Sequence, residues 1–489
     1  MAPIATARPS ARALVAGMAG AHQSRPSWTS ERFHGAKARF VTRRRTLPDA
    51  FYLGGSRLGW NIVGALSGLL GLAAVVAWVL GSYFKVDVAA MVSFPGADGH
   101  CRLPHEGVGV HCWGDFGAVR FASLTGAPLG PEVVYPLSSR ILRLPFFAIS
   151  SIGGYGAGLI AFLVASAACL IAPVVWAVRD TPWALKPVVV TVAAVATMPF
   201  LMVLDRGNVL ALTVPFLFLA LLGLVRDKPW MIAVATIAAT SVKPQFALLG
   251  VGLLALRHWR AAAVSIAGSV AIIVVPYLVF GDKWRSALVT WLDAAQAWTK
   301  SQPLSVDWPG NISLPRVLYL LGHAGPWRHS RLLSTIDDGT YTTASVAILA
   351  VIVGILVLSG RHLPPLATGV ALLAIASLAS PLTYAYYSVF MIPVVAIVFR
   401  CGLASWPTDT RWDRTMPRIL SAALVLGLSP LLLPLGSSLT APVAPLLPVL
   451  SACAWAAFLA AMAIWGVARM WKEPITTTET ATRRTNAAS

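Results

Sequence analysis

Charge is scarce in this chain, and negative charge is scarcest. Only 12% of the 489 residues are charged, and the 19 acids are outnumbered by 38 Lys and Arg. A soluble globular protein carries about 25% charged residues. With 57% hydrophobic residues and a mean hydropathy of +0.72, the composition excludes a soluble fold and calls for a polytopic membrane protein. Cysteine is also sparse, and five residues are too few for a disulfide scaffold. Cys169, Cys401 and Cys453 lie in or at the ends of apolar runs and read as small hydrophobes. Cys101 and Cys112 share one loop; they pair as a disulfide if it faces an oxidising compartment, and otherwise stand as two thiols. HExxH, a CxxC pair, a Walker loop and GxGxxG are all missing. Metal hydrolysis, nucleotide hydrolysis and dinucleotide chemistry therefore have no support.

The excess of positive charge is unevenly spread. Residues 1–58 hold ten Lys/Arg and two Asp/Glu, including the run Arg43-Arg44-Arg45. They lack the apolar core and small-residue cleavage site of a secretory signal. An Arg-rich transit peptide is the competing reading; a basic cytoplasmic tail fits the composition better.

A spanning helix needs about 20 apolar residues. Runs near 59–83, 146–178, 187–204, 208–225, 262–280, 342–360, 365–379, 385–399, 418–436 and 446–468 read as membrane segments. Residues 230–256 are apolar but interrupted by Lys243-Pro244-Gln245. Read as a hairpin of two half-helices, they return Arg257-His258-Trp259-Arg260 to the side of Arg226 and Lys228. Each arm is then about 20 Å long, too short for a hydrocarbon core of about 30 Å. The tip must lie in protein or a wet cavity. This brings the total to about twelve membrane segments, both hairpin arms counted. Inner segments then carry 25 Lys/Arg and 8 Asp/Glu, and outer ones 13 and 11, in line with the positive-inside rule. The expected fold is an all-α polytopic transmembrane helical bundle. A core at 59–470 lies between the basic tail at 1–58 and a C-terminal cytoplasmic tail at 471–489. Two large extracytoplasmic loops, at 84–145 and 281–341, are long enough to be functional.

Five polar clusters fall at the outer boundary. Asp115 is an acid in the first large loop, placed to serve as a general base or simply to be solvated. Asp205-Arg206-Gly207-Asn208 forms a turn between apolar runs, with Arg206 available as a phosphate clamp and Asn208 as a cap. Lys243, a cation at membrane depth, suggests function by its cost alone. Asn311-Ile312-Ser313-Leu314 and Ser380-Pro381-Leu382-Thr383-Tyr384-Ala385-Tyr386-Tyr387 complete the set.

The order of these motifs resembles glycosyltransferase family 87, polytopic GT-C enzymes that use polyprenyl-phosphate sugars. The similarity runs over about residues 55 to 400. It rests on Asp115 followed by Gly126-Ala127-Pro128 and Tyr135-Pro136, then Arg206-Gly207-Asn208, Lys243-Pro244, Asn311–Leu314, and Ser380-Pro381 with Tyr384–Tyr387. The resemblance implies that Asp115 is the catalytic base. It implies that Arg206, Lys243, Tyr384 and Tyr386 hold the donor, and that Tyr135, Asn208, Asn311 and Tyr387 contact substrate. The implied reaction moves a sugar, mannosyl first and arabinofuranosyl second, from a polyprenyl phosphate to a cell-envelope glycolipid or polysaccharide. It would run with inversion at the outer face of the plasma membrane, with membrane lipid as a partner. No cofactor, metal or nucleic acid is called for. A lipid or sugar transporter is the alternative from another class, and a non-catalytic assembly subunit a third reading.

Overall fold

A computed structural model of the chain describes residues 53–84, 116, 136–280, 284–300, 311–323, 336–380, 383–403, 406–407, 409–431, 434–435 and 444–472. Asp115, Tyr135, Cys101, Cys112, the Gly126-Ala127-Pro128 stretch and both expected tails lie outside the described residues, save a few positions where the tails meet the core.

The protein is an all-α polytopic helical bundle. Helices α1 (Arg57–Phe84), α2 (Leu137–Ile141) and α3 (Leu144–Ala177) come first. Then follow α4 (Lys186–Val190), continued by a π-helical turn over Thr191–Val195, and α5 (Met198–Arg206). A 3-10 turn over Val209–Thr213 leads into α6 (Val214–Val225), and α7 (Pro229–Thr240) follows. A second such turn, Pro244–Leu248, leads into α8 (Leu249–Ala255). The rest are α9 (Trp259–Phe280), α10 (Trp284–Lys300), α11 (Leu314–His323), α12 (Asp338–Ser359), α13 (Pro365–Leu378), α14 (Met391–Cys401), α15 (Arg411–Leu428) and α16 (Leu446–Lys472). A two-residue antiparallel pair, β1 (Pro434–Leu435) and β2 (Ala444–Pro445), joins the ends of the last connection.

Among the described residues, five helices are long and apolar enough to cross a membrane: α1, α3, α9, α12 and α16. Trp183–Val195 and Met198–Arg206, bent by 64° at their junction, pass the same test only when taken together as one broken span. The other expected segments appear as shorter apolar helices. One boundary differs from the expectation. The apolar run at 418–436 predicts a span there, but the helix covers Arg411–Leu428. Thr410 and Asp413 close a reciprocal capping box at its start, satisfying amides that would otherwise be orphaned. At its other end Ser429 precedes Pro430 and is extended, as a residue before proline prefers.

Layering follows from hydrophobicity all round the helices. Every residue of α13 from Leu366 to Leu378 is buried, as is α14 from Met391 to Phe399. These two form the centre. The outer helices turn large apolar side chains outward, including Trp78 on α1, Ile160 and Val164 on α3, Val270 on α9 and Val351 on α12. In water such a belt would aggregate; against lipid chains it is the expected surface.

The two ends of the bundle differ. At one, Arg400 at the end of α14 pairs with Asp180 just beyond α3 at 2.5 Å and lies over the Trp176 ring. The Arg400 hydrogen bond holds the Asp180 carboxyl below its ordinary value, with burial opposing it and the charges of Arg400, Arg179 and Lys186 adding to it. The hairpin is present as expected. Asp227 and Arg257, both with positive φ, flank its two arms, and His258 Nε2 lies 3.0 Å from Asp227 Oδ1. That contact brings both basic clusters to one end. The helix break at Lys243 falls at the other.

Candidate functional site

The broken helices bring the site together. Gly207 adopts the left-handed conformation (φ 62°) that closes α5, a shape glycine takes without steric cost. Asn208 follows, fully buried, and its Oδ1 accepts a hydrogen bond from the Leu210 amide at 2.9 Å. Asn208 is thus the cap of the next turn, the bland role that the sequence allowed it. The same turn leaves Arg206 at the end of α5, half-buried, with its guanidinium 5.2 Å from the Tyr384 ring centroid and 5.4 Å from that of Tyr386.

Tyr384, Tyr386 and Tyr387 form a continuous stack. Tyr384 and Tyr386 centroids are 5.4 Å apart, and those of Tyr386 and Tyr387 are 5.0 Å apart. At its far side Lys243 donates to the Tyr387 hydroxyl at 2.5 Å and sits 4.7 Å from that ring's centroid. Lys243 is only 5% exposed. It occupies the tip of the hairpin, where Pro244 cannot continue the ladder of α7. A buried ammonium is tolerated only with compensating acceptors, and the phenol oxygen and aromatic face provide part of that compensation.

Asn311 fixes the stack from behind. Its Oδ1 accepts from the amides of Ser313 (3.0 Å) and Thr383 (3.1 Å), while the Ile312 amide donates to the Thr383 carbonyl at 2.7 Å. Asn311 and Tyr384 form an isolated antiparallel bridge. Four separated stretches of sequence therefore meet at one end of the bundle and carry Arg206, Asn208, Lys243, Asn311, Tyr384, Tyr386 and Tyr387. The arrangement presents two cations across an aromatic floor, suited to an anion that carries a ring.

The family model for glycosyltransferase family 87 matches residues 134–381, just over half of the chain. The chain belongs to glycosyltransferase family 87. This family 87 protein is accordingly a membrane glycosyltransferase, with a sugar donor and an acceptor as its substrates. The match takes in Arg206, Lys243 and Asn311 and ends three residues before Tyr384. No curated protein and no solved structure gives a significant match.

Two residues that sequence reasoning counted only as loop charges prove to be buried beside this site. Arg140 on α2 is 1% exposed and Arg143, at the start of α3, is fully buried. Ser138, also on α2, donates to the carbonyl of Ser241 at 2.6 Å, tying α2 to the hairpin tip two residues from Lys243. The Leu137 amide donates to the Tyr277 hydroxyl on α9 at 3.2 Å. Burial lowers the Arg140 guanidinium to about 10; Tyr277 opposes that shift and neighbouring Arg143 adds to it. It stays charged at neutral pH. The available signal was the spacing Arg140-Ile141-Leu142-Arg143 immediately before an apolar run, which puts both cations on one helical face.

Proposed function

We propose that the protein transfers a sugar from a polyprenyl phosphate to a hydroxyl of a cell-envelope glycolipid or polysaccharide, at the extracytoplasmic face of the plasma membrane. Mannosyl is the leading donor sugar and arabinofuranosyl the second. The acceptor oxygen attacks C1 opposite the leaving group as the C1–phosphate bond breaks, with inversion. Asp115 takes the acceptor proton, and the polyprenyl phosphate departs carrying the additional negative charge. One carboxylate suffices for this displacement, whereas a glycosidase normally needs two.

The observation that carries the reading is the placing of Lys243 and Arg206 against one tyrosine stack. Cations fixed before the reaction stabilise the charge that grows on the leaving phosphate without reorganising. Aromatic faces suit the apolar face of a sugar ring. Phe116, which follows Asp115 in the chain, is buried against Phe147 and Phe162 of α3, with centroids 5.6 and 5.0 Å away. Mass spectrometry of the glycolipids and polysaccharides of a strain lacking the protein tests the reading. The expected result is an envelope glycan short of one sugar, with its precursor accumulating. An unchanged glycan profile with a lipid-linked sugar trapped on the inner leaflet would favour a transporter instead.

A further inference from the structure

Arg140 stands out among the buried groups. None of its three guanidinium nitrogens, each sealed from solvent, has a hydrogen-bond partner among the described residues. A guanidinium presents five N–H donors, and a buried charge without acceptors is among the costliest arrangements a protein can hold. Its surroundings worsen the imbalance. Arg143, one turn on, is a like charge. Arg143 also stands at the N-cap position of α3, whose first helical run extends to a kink at Gly154, and the dipole at a helix N-terminus disfavours cations and favours anions.

We propose that Arg140, flanked by Arg143 and the N-terminus of α3, is the receptor for a phosphate group that enters the site from outside the chain. A tetrahedral oxyanion would satisfy the planar guanidinium fork in the bidentate manner that arginine favours. The Ser138–Ser241 hydrogen bond places this receptor next to the hairpin tip. Assignment of the phosphate to the lipid-linked donor rests on the function proposed above. Arg140 then offsets the charge that passes from one to two on the lipid phosphate as the sugar leaves, a demand that Lys243 and Arg206, both engaged with tyrosines, share with it.

Direct binding to the full-length protein in lipid nanodiscs tests this with three probes: a polyprenyl phosphate, the polyprenol of equal length, and inorganic phosphate. Wild-type protein should bind and be thermally stabilised by the polyprenyl phosphate and not by the polyprenol. Arg140→Gln should lose at least tenfold in affinity for the phosphate probe while its ligand-free Tm holds or rises, since an unpaired buried charge has been removed. Should Arg140→Gln fail to fold, Arg140→Lys decides. It keeps the charge but loses the fork, and weaker phosphate-dependent stabilisation is expected. Arg140-dependent binding of inorganic phosphate alone would support the receptor and overturn its assignment to a lipid donor. Equal binding of both phosphate probes by wild type and variant, or a wild type that binds neither, would overturn the proposal.

Discussion

Lys243 and Tyr387 are 144 positions apart in sequence, yet the ammonium donates to the phenol oxygen at 2.5 Å. One residue is the tip of a hairpin whose arms are too short to span; the other ends a stack of tyrosines that reaches Arg206. The contact joins the two halves of the candidate site, and it makes the roles of the residues separable.

Lys243→Met keeps the unbranched stem and deletes the charge. Donor affinity is expected to weaken by about 1.5–3 kcal/mol, the usual loss of a hydrogen bond to a charged group, read as a roughly 10- to 150-fold higher Kd. Tyr387→Phe removes only the hydroxyl that Lys243 holds and should lower Tm with a smaller effect on affinity. Unchanged donor binding in well-folded Lys243→Met would remove this residue from the site.

Asn311→Ala deletes an acceptor shared by the Ser313 and Thr383 amides. Each amide left unsatisfied costs about 1–3 kcal/mol. A drop in Tm should accompany a rise in KM, because the clip behind Tyr384 is lost. Asn311→Asp, which keeps the acceptor, should retain most of the stability.

Asp413 provides a stability prediction away from the site. Its buried carboxylate accepts from Trp465 Nε1 at 2.9 Å and from Arg469 at 2.7 Å, in the charged first turn of α15. Removing one partner of a buried pair costs about 3–5 kcal/mol, so Asp413→Ala should unfold at markedly lower temperature. Burial pushes this carboxyl up, but the Arg469 and Thr410 hydrogen bonds outweigh it and hold it below its ordinary value. A depressed folded value means the contribution is complete above the unfolded value of about 3.9 and is lost as pH falls through the folded one. Thermal scans from pH 7 to 3 should show wild type losing more than Asp413→Asn at the acid end.

Orientation is tested by labelling. A cysteine introduced at Ser305 should react with an impermeant maleimide added to intact cells, and one at Thr408 should not. The reverse pattern would place the site on the cytoplasmic side.

Much of this fold was legible because apolar runs punctuated by proline, glycine and charge leave few ways to lie in a bilayer. Lys243-Pro244 marked the hairpin break, and Arg206-Gly207-Asn208 the end of a helix, for local reasons that sequence displays directly. The 411–428 helix was misplaced because its charged first turn resembles a loop, although Thr410 and Asp413 carried the cap signal. Arg140 and Arg143 were missed for a different reason. Their helical turn is tied through Leu137 to Tyr277 and through Ser138 to Ser241, contacts with residues more than a hundred positions away, and spacing along the chain does not reveal burial. Equally, nothing local showed that Asn311 would bridge to Tyr384.

The proposed reaction is an inverting sugar transfer with Asp115 as its base. Turnover of purified Asp115→Asn, with a polyprenyl-phosphate sugar and acceptor, tests it most directly. The variant keeps the size of the side chain but accepts no proton, and loss of a general base typically lowers the rate by about 10²–10⁴. Donor should still bind with near wild-type affinity while product formation falls by that factor. Wild-type turnover in the variant would contradict it.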